Sequence, residues 1–401
     1  GLSIKKLFFF ASILNHALET NEAKKLKKKR ATGIIFIMYK LNYKFFLNLF
    51  VILSFAINGN SDSTNIIKNL QVKEGFSIEI FVENIDTPRQ IAESRAGNIF
   101  VGSRSGGIIN VIDRDMNIRV IARDLSNATG VTYHNGDLYF SEVDKIWRIS
   151  NIDEVLLNSD NIPKKELVTN NLPSDTWHGW KWIDFGPDNM LYVPVGAPCN
   201  ICNPSVEEKY NFDKRYASIM RLNGSKWEYV ARGLRNTVGF DWHPQTKNLY
   251  FGDNGRDWMG DDMPACELNV VLEEDSFYGY PYKHANNVFD PKYSKDISKN
   301  SEKFVDPILE LGAHVAPTGL SFYDGDHFPE NYKNTLFMTL HGSWNRSRKV
   351  GYKVIAVHFD NDGKLLFQED FITGWLQREN DQDKVLGRPA SVFQKSDGSI
   401  L

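Results

Sequence analysis

A single arrangement of polar and apolar positions recurs along the chain from residue 70 onward. A turn rich in Gly, Asp or Asn is followed by a short segment in which apolar and aromatic side chains alternate with others. A period of two places successive side chains on opposite faces, which is typical of a β-strand. The six copies of this turn and strand span residues 96–102, 134–140, 187–193, 246–252, 333–338 and 396–401.

A second strand of the same period follows several copies, for example at residues 107–112 and 145–149. Strand pairs joined by tight turns and repeated six times predict an all-β fold, a six-bladed β-propeller, within residues 65–401. An irregular β-sandwich is the alternative. The copies are farthest apart around residues 253–330, which are therefore expected to form loops on one face. The last copy stops at Leu401 inside a predicted strand, so we expect this blade to lack strands and the propeller to close poorly.

The first 64 residues are predicted to lie outside the folded domain. Lys40 and Lys44 precede an apolar run at residues 45–56, and small and polar residues follow it. This order is that of a secretory signal peptide, and the run is too short to cross a membrane. Met38 is the predicted true start, with residues 1–37 as an upstream extension; a single amphipathic anchor helix is the alternative. We expect a periplasmic or secreted protein without a membrane span in its mature form.

Composition excludes one class of function. The 47 basic and 50 acidic residues give a net charge of −3, without the basic excess of a nucleic-acid-binding protein. The three cysteines, Cys199, Cys202 and Cys266, are too few for a disulfide scaffold. Two alternatives stay open for them: one structural disulfide with one thiol left over, or three free buried cysteines.

Chemically useful side chains concentrate in three segments, at residues 175–188, 233–240 and 252–269. His178 lies in a loop just before a predicted strand, where a neutral imidazole could accept a proton from an alcohol near neutral pH. Arg235 and the adjacent Asn236 lie on a turn, and a guanidinium offers a fork of donors to carboxylate or quinone oxygens. A structural histidine and a surface ion pair are the alternatives.

The third segment is a Gly-rich loop with a high density of carboxylates. Oxygen ligands in such a loop suit a hard cation, Ca²⁺ before Zn²⁺, although the spacing is not that of an EF-hand. A solvated acidic loop is the alternative. The carboxylates are Asp253, Asp257, Asp261, Asp262 and Glu267.

These three segments, in this order on a repeated strand pattern, resemble the soluble pyrroloquinoline quinone (PQQ)-dependent sugar dehydrogenases, including the aldose and sorbosone dehydrogenase-like branch. The resemblance covers about residues 70–401 and rests on His-Gly-x-x-x-Ile-x-x-Gly-Pro-Asp, Gly-Leu-Arg-Asn and Asp-Asn-Gly…Glu-Leu-Asn…Tyr-Gly. It implies an enzyme that oxidises the anomeric or an alcohol carbon of a sugar. His178 would be the general base for hydride transfer to PQQ.

The resemblance also assigns cofactor and metal ligands. Arg235 and Asn236 fall on the pair that holds PQQ and polarises its reactive carbonyl. The backbone carbonyls of Gly255 and Arg256 would bind the Ca²⁺ beneath the cofactor, an ion that acts as a Lewis acid on the quinone. Glu267 and the carbonyl of Tyr278 match a second Ca²⁺ site, and Lys349 (or Arg348) and Arg388 match PQQ contacts. His314 falls where the glucose-oxidising relatives carry a PQQ-contacting Thr.

Several positions depart from the family's pattern. Trp177 stands where the glucose-oxidising members have an Asp directly before the catalytic histidine. His178 would then be oriented either by Asp175 or by a backbone carbonyl. A second cofactor-facing arginine falls on Leu386, and Thr237 follows the Arg-Asn pair in place of Pro. The substrate preference is therefore open.

Two other functions compete with this interpretation. One is a Ca²⁺-dependent propeller lactonase or hydrolase, and the other is a non-catalytic propeller that binds a protein or glycan. For the dehydrogenase, the partners would be a small sugar and a separate electron acceptor, a cytochrome or quinone carrier, because the chain has no cytochrome segment. Homodimerisation is left open.

Overall fold

The computed structural model describes residues 60–299 and 302–401. The predicted signal peptide at residues 45–56, with its start at Met38, lies outside the described residues. The described part contains two α-helices and short 3₁₀ turns at Glu208–Tyr210, Ser294–Lys299 and Glu330–Tyr332. The helices are α1 (Asn60–Asn69) and α2 (Ile152–Asn158).

All other regular structure in the described residues is β-strand. The strands are β1 (Gln71–Val72), β2 (Pro88–Glu93), β3 (Ile99–Ser103), β4 (Ile108–Ile112), β5 (Ile118–Ala122), β6 (Val131–His134), β7 (Asp137–Ser141), β8 (Ile146–Ile149), β9 (Glu166–Thr169), β10 (Asp184–Phe185), β11 (Leu191–Val195), β12 (Ser218–Asn223), β13 (Lys226–Arg232), β14 (Thr237–Trp242), β15 (Leu249–Asp253), β16 (Ala265–Val271), β17 (Ser276–Phe277), β18 (Lys283–His284), β19 (Val288–Phe289), β20 (Leu309–Ala313), β21 (Pro317–Tyr323), β22 (Thr335–Leu340), β23 (Lys353–Phe359), β24 (Leu365–Thr373), β25 (Leu376–Glu379) and β26 (Gln382–Val385).

These strands form five sheets of four or five strands, and each sheet is one blade of a β-propeller. The strand orders are β2-β3-β4-β5, β6-β7-β8-β9, β10-β11-β12-β13-β17, β14-β15-β16-β20 and β21-β22-β23-β24-β1. Neighbouring strands are antiparallel except β17, which pairs parallel to β13. Two small hairpins, β18-β19 and β25-β26, lie outside these sheets.

The predicted repeat maps onto one position in each blade. Its first five copies become β3, β7, β11, β15 and β22, which are the second strands of the five sheets. The predicted partner strands at residues 107–112 and 145–149 become β4 and β8. The all-β propeller is thus confirmed, because each turn-and-strand copy forms a hairpin with the strand before it.

The predicted count of six blades is wrong for the described residues, which form five. The sixth copy, at residues 396–401, makes only an isolated antiparallel bridge between Gln394 and Ile400 rather than a sheet. Leu401 packs against the buried cluster of Ile99, Val101 and Ile112 in the first blade. The expectation for residues 253–330 is correct only in part, because β16 and β20 from this stretch complete the fourth blade.

The apolar core lies between consecutive sheets. One cluster joins Ile109 and Val111 of the first blade to Leu138 and Phe140 of the second. Comparable clusters join each later blade to the next. Alternating apolar positions point to both faces of each sheet and are buried by the neighbouring sheets, which explains why the copies contain so many aromatic and β-branched residues.

Buried hydrogen bonds link the first strands of the first three blades. The Gln90 amide on β2 donates to the carbonyl of Ile183 at 2.7 Å, and its oxygen accepts from the backbone N–H groups of Val131 and Ile183. Thr132 on β6 donates to Asp184 on β10 at 2.7 Å. These bonds satisfy polar groups where the blades meet. Within residues 60–299 and 302–401, no helix has the length and apolarity needed to cross a membrane.

We expect Phe140→Ala to lower the free energy of unfolding by about 3–5 kcal/mol, because it empties a fully buried site between two blades. Urea denaturation followed by tryptophan fluorescence measures the change. Phe289→Ala is the matched control, since that ring is 53% exposed. Equal effects of the two substitutions would contradict the assignment of the core.

Candidate active site

Because the strands within each blade are antiparallel, segments that are distant in sequence meet at one edge of the sheets. In such a sheet, the residues before the first strand and those after the second strand lie at the same edge. His178 and Arg235 come before the first strands β10 and β14, whereas Ala197, Gly255 and His341 come after the second strands β11, β15 and β22.

A cavity of about 390 Å³ opens at this edge, within the usual size range of small-molecule sites. Six of the predicted site residues line it: His178, Arg235, Asn236, Gly255, His314 and Arg388. The other four are not among the lining residues: Arg256, Glu267, Tyr278 and Lys349. The structure therefore brings together the predicted base and most of the predicted cofactor contacts, but only one of the four predicted metal ligands.

His178 is held by a backbone carbonyl, which resolves an alternative that the sequence left open. Its Nδ1 lies 2.7 Å from the carbonyl oxygen of Ala197. Asp175 instead accepts a hydrogen bond from the backbone N–H of Trp177. Because a carbonyl can only accept, Nδ1 carries the proton and Nε2 is the unprotonated nitrogen. Gly196 permits this approach, since a Cβ there would lie 2.6 Å from the Cβ of His178.

The surroundings keep the His178 imidazole neutral. Burial, followed by the positive charge of Arg235, holds its pKa well below the ordinary value; the bond to Ala197 opposes them. Lys181, a buried residue three positions on, acts in the same direction as Arg235. A neutral imidazole with Nε2 unprotonated is the form that accepts a proton.

The turn that bears Arg235 and Asn236 is fixed by one buried carboxylate. Asp253 accepts the backbone N–H of Arg235 at 2.9 Å and that of Asn236 at 2.8 Å. It also accepts the hydroxyl of Thr237 at 3.1 Å. Thr237, which departs from the family's Pro, thus supplies a further donor to the carboxylate.

The Arg235 guanidinium is buried, lines the cavity and makes four hydrogen bonds to neighbouring loops. It donates to the side chain of Asn200 at 2.8 Å, to Asp257 at 3.0 Å and to the carbonyl of Asn254 at 3.2 Å. Its charge is therefore compensated by Asp257, and its position is rigid.

The disulfide alternative is the one that the structure shows. Cys199 and Cys202 are bonded, and Cys266 is free, buried and part of the cavity wall. The disulfide closes the loop that carries Asn200, which donates to the carbonyl of Asp257 at 3.0 Å.

His314 lines the cavity next to Asp257. Its Nε2 donates to the carbonyl of Gly260 at 2.8 Å, and its Nδ1 lies 3.8 Å from Asp257. Lys349 lies elsewhere: its backbone N–H donates to Asp383, which also pairs with Arg348. The predicted lysine contact to PQQ therefore finds no support in the cavity lining, because the loop is tied to the β25-β26 hairpin.

The five carboxylates of the third segment do not converge on one cation. Asp253 and Asp257 are engaged as described above, whereas Asp261 bonds Ser347 and Asp262 pairs with Arg346. Among the described residues, no group of three or more His, Cys, Asp or Glu side chains is placed to hold a metal ion. The loop therefore does not form a single metal site from these five side chains.

Oxygen atoms that could hold the predicted second Ca²⁺ are nevertheless present at Glu267. This carboxylate is buried, and burial and the charge of Asp253 raise its pKa. Beside it, the side-chain oxygen of Asn269 is buried without a donor. The Tyr278 hydroxyl donates to the carbonyl of Val270 at 2.8 Å, which leaves its backbone carbonyl as the candidate ligand. A buried carboxylate and an unsatisfied amide oxygen fit a hard cation.

The sequence interpretation missed residues that line the same cavity. Arg104 follows β3, Trp180 precedes β10 and His341 follows β22. Each lies at the same edge of its blade as the predicted residues. That placement is the signal that could have identified them. Trp180 occupies an unspecified position of the motif that begins at His178, whereas Arg104 and His341 belong to none of the motifs on which the family resemblance rests.

The fold and the cavity together define a β-propeller with a cation-rich small-molecule site at one edge of its first strands. Residues 70–374 match the TrAA12-like family, and the chain belongs to this family. The family resemblance read from the three motifs is thereby confirmed.

Three proteins are similar to this chain in sequence or structure. An uncharacterised protein of Borreliella burgdorferi is 37% identical over 84% of this chain and 88% of its own length. The PQQ-dependent pyranose dehydrogenase of Coprinopsis cinerea is 22% identical over 72% of this chain, which spans 44% of that enzyme's length. The holo form of its PQQ domain superposes with a TM-score of 0.63 at 20% identity, over 82% of this chain and 92% of the domain. A Trichoderma reesei AA12 structure gives a TM-score of 0.66 at 19% identity, over 82% and 94%.

We expect His178 to stay neutral, with its proton on Nδ1, as the pH is lowered through about 6.5, where an ordinary imidazole is half protonated. Long-range ¹H–¹⁵N spectra of histidine-labelled protein measure both the tautomer and the titration. His178→Gln identifies the signal. An Nε2-protonated ring, or protonation in the ordinary range, would contradict the described environment.

Proposed function

We propose that this chain is a PQQ-dependent oxidoreductase that oxidises the anomeric or an alcohol carbon of a sugar, with His178 as the general base. The observation that carries the proposal is the placement of a neutral imidazole beside Arg235 and Asn236 in one cavity. The Coprinopsis cinerea relative, named as a PQQ-dependent pyranose dehydrogenase, supports the substrate class and the cofactor.

In this proposal, His178 Nε2 takes the proton of the substrate hydroxyl. The carbonyl of Ala197 holds the ring in the correct tautomer and stabilises the imidazolium that forms. The Arg235 guanidinium and Asn236 orient the ligand, and the positive charge of Arg235 favours release of the proton from the imidazolium to solvent. PQQ, when bound, supplies the two-electron oxidant that accepts the hydride from the same carbon.

Asn236, His314 and Arg388 would hold the cofactor from the cavity wall. The carbonyls of Gly255 and Arg256 would bind one Ca²⁺, and Glu267 with the carbonyl of Tyr278 a second. The Arg256 side chain is paired with Asp290, which leaves only its backbone for this role.

The remaining parts of the proposal concern partners and location. A separate carrier, a cytochrome or a quinone, would remove the electrons, and a homodimer is compatible with the proposal. Residues 65–401 would form the exported domain, with the apolar run at residues 45–56 as its signal peptide, in the periplasm or outside the cell.

We expect His178→Ala to lower kcat by about 10²- to 10⁴-fold, the usual range for a general base, without changing the affinity for PQQ. Dye reduction with a panel of aldoses, after reconstitution with PQQ and Ca²⁺, measures kcat, and fluorescence titration measures PQQ binding. His134→Gln is the control, because that ring, in the second blade, stacks on Phe185 of the third blade and does not line the cavity.

An unchanged rate in His178→Ala with PQQ bound would remove the residue from this role. Lactone hydrolysis with Ca²⁺ alone would support the hydrolase instead. Binding of PQQ without oxidation of any alcohol or aldehyde would support the non-catalytic propeller.

We expect removal of Ca²⁺ to lower the melting temperature, because an ion that binds only the folded chain stabilises it. The loss is about 2.7 kcal/mol when the ion is present at about 100 times its Kd. Differential scanning calorimetry with Ca²⁺ and with a chelator measures the difference. Glu267→Gln should reduce the difference in melting temperature, and the exposed Glu273→Gln should leave it unchanged. If the chelator leaves the melting temperature of the unmodified protein unchanged, the proposed Ca²⁺ sites are wrong.

A further inference from the structure

Three arginines converge on one side of the cavity. Arg104 and Arg388 are part of its lining, and Arg89 packs on the same Trp180 ring as Arg104. The guanidinium carbons of Arg89 and Arg104 lie 4.8 and 4.2 Å from the ring centroid of Trp180, which also lines the cavity. Because Pro88 pairs with Ser103 in antiparallel strands, Arg89 and Arg104 are diagonal neighbours, a separation that two long side chains can span.

These three guanidinium groups have no direct carboxylate partner in the described part of the chain. Arg388 donates to the backbone carbonyls of His341 and Gly342. Arg89 donates to the carbonyl of Pro88 at 2.7 Å, and its Nε is buried without a partner. The cavity's fourth arginine, Arg235, differs, since it is paired with Asp257.

The electrostatics agree with this geometry. Burial, followed by repulsion from Arg104 and Arg388, lowers the pKa of Arg89 to about 10, and the nearby Asp86 offsets only part of the effect. The same arginines act on His341: burial and then Arg388 lower its pKa to about 4. Positive charges held together in this way are stabilised by an anion that lies between them.

We propose that Arg104 and Arg388, with Arg89 packed on the same Trp180 ring as Arg104, form a carboxylate-binding subsite of the cavity. Resting on the proposed function, this subsite takes the cofactor carboxylates and replaces the second cofactor-facing arginine that Leu386 lacks. Planar guanidinium forks are suited to bidentate binding of carboxylates, and stacking on an indole fixes their plane. The same chemistry would bind the carboxylate of an acidic sugar.

The charge balance of the cavity favours the cofactor as the source of the carboxylate. PQQ carries several carboxylates, whereas Arg235 and His314 both face Asp257 and contribute little net charge. The guanidinium groups of the proposed subsite are therefore the positive charges available to balance the cofactor carboxylates. Arg104 is the member that no family motif indicates.

The test measures PQQ binding by quenching of tryptophan fluorescence in the protein, Arg104→Gln, Arg388→Gln and Arg104→Lys. We expect each Gln variant to weaken binding about 10- to 100-fold, the range for a hydrogen-bonded charge, and the Lys variant to lose less. Arg123→Gln, an exposed arginine after β5, should bind as the unmodified protein does. Melting temperatures establish that the variants are folded. Because Arg388 lies on an exposed loop, we expect Arg388→Gln to fold, and its PQQ affinity tests the subsite if Arg104→Gln does not fold.

A parallel titration with glucuronate, compared with glucose, separates the two sources of carboxylate. Weaker PQQ binding in the Gln variants assigns the subsite to the cofactor, and weaker glucuronate binding alone assigns it to an acidic substrate. If the unmodified protein binds no PQQ but binds glucuronate through Arg104, the proposed function fails and the subsite stands. If neither ligand depends on Arg104 or Arg388, or neither binds, the subsite is overturned.

Discussion

One buried carboxylate, Asp253, organises the candidate site. At the end of β15 it accepts the backbone N–H groups of Arg235 and Asn236 and the hydroxyl of Thr237, so the turn before β14 has one conformation. Burial raises the pKa of this carboxyl, while the three donors oppose the shift. Because the same turn places the Arg235 guanidinium toward Asn200 and Asp257, the charge next to His178 is set by a contact between two strands of one blade.

The cavity has a compensated half and an uncompensated half. Arg235, His314 and Asp257 form a closed set of contacts, which suits a rigid wall that fixes the orientation of a ligand. Arg89 and Arg104 stack on Trp180 without a carboxylate partner among the described residues, which suits a surface that binds an anionic group. His178 lies in the first half and is kept neutral by the charge there. Ligands in this cavity would therefore react next to His178 in the first half, while their carboxylates are bound by the arginines of the second half.

The strands and the identity of the family could be predicted from the sequence, because alternation and turn chemistry are local. Five copies of the repeat became the second strands of five blades, and the His178, Arg235–Asn236 and Gly255 segments met in one cavity. The number of blades could not be predicted, since the turn-and-strand copy at residues 396–401 makes a bridge but no sheet. A local pattern reports that a segment can be a strand, and only its neighbours decide whether it pairs into a blade.

The sequence by itself thus determined that the first five copies of the repeat are strands and which residue types stand in the loops between them. The tertiary structure alone decided that Ala197 rather than Asp175 holds His178, that Lys349 lies away from the cavity and that Arg104 lines it. The physical reason is that each of these placements involves residues far apart along the chain, at the two ends of one hairpin or in different blades. Their distances depend on how the sheets pack around the first strands, and no spacing along the chain records that packing.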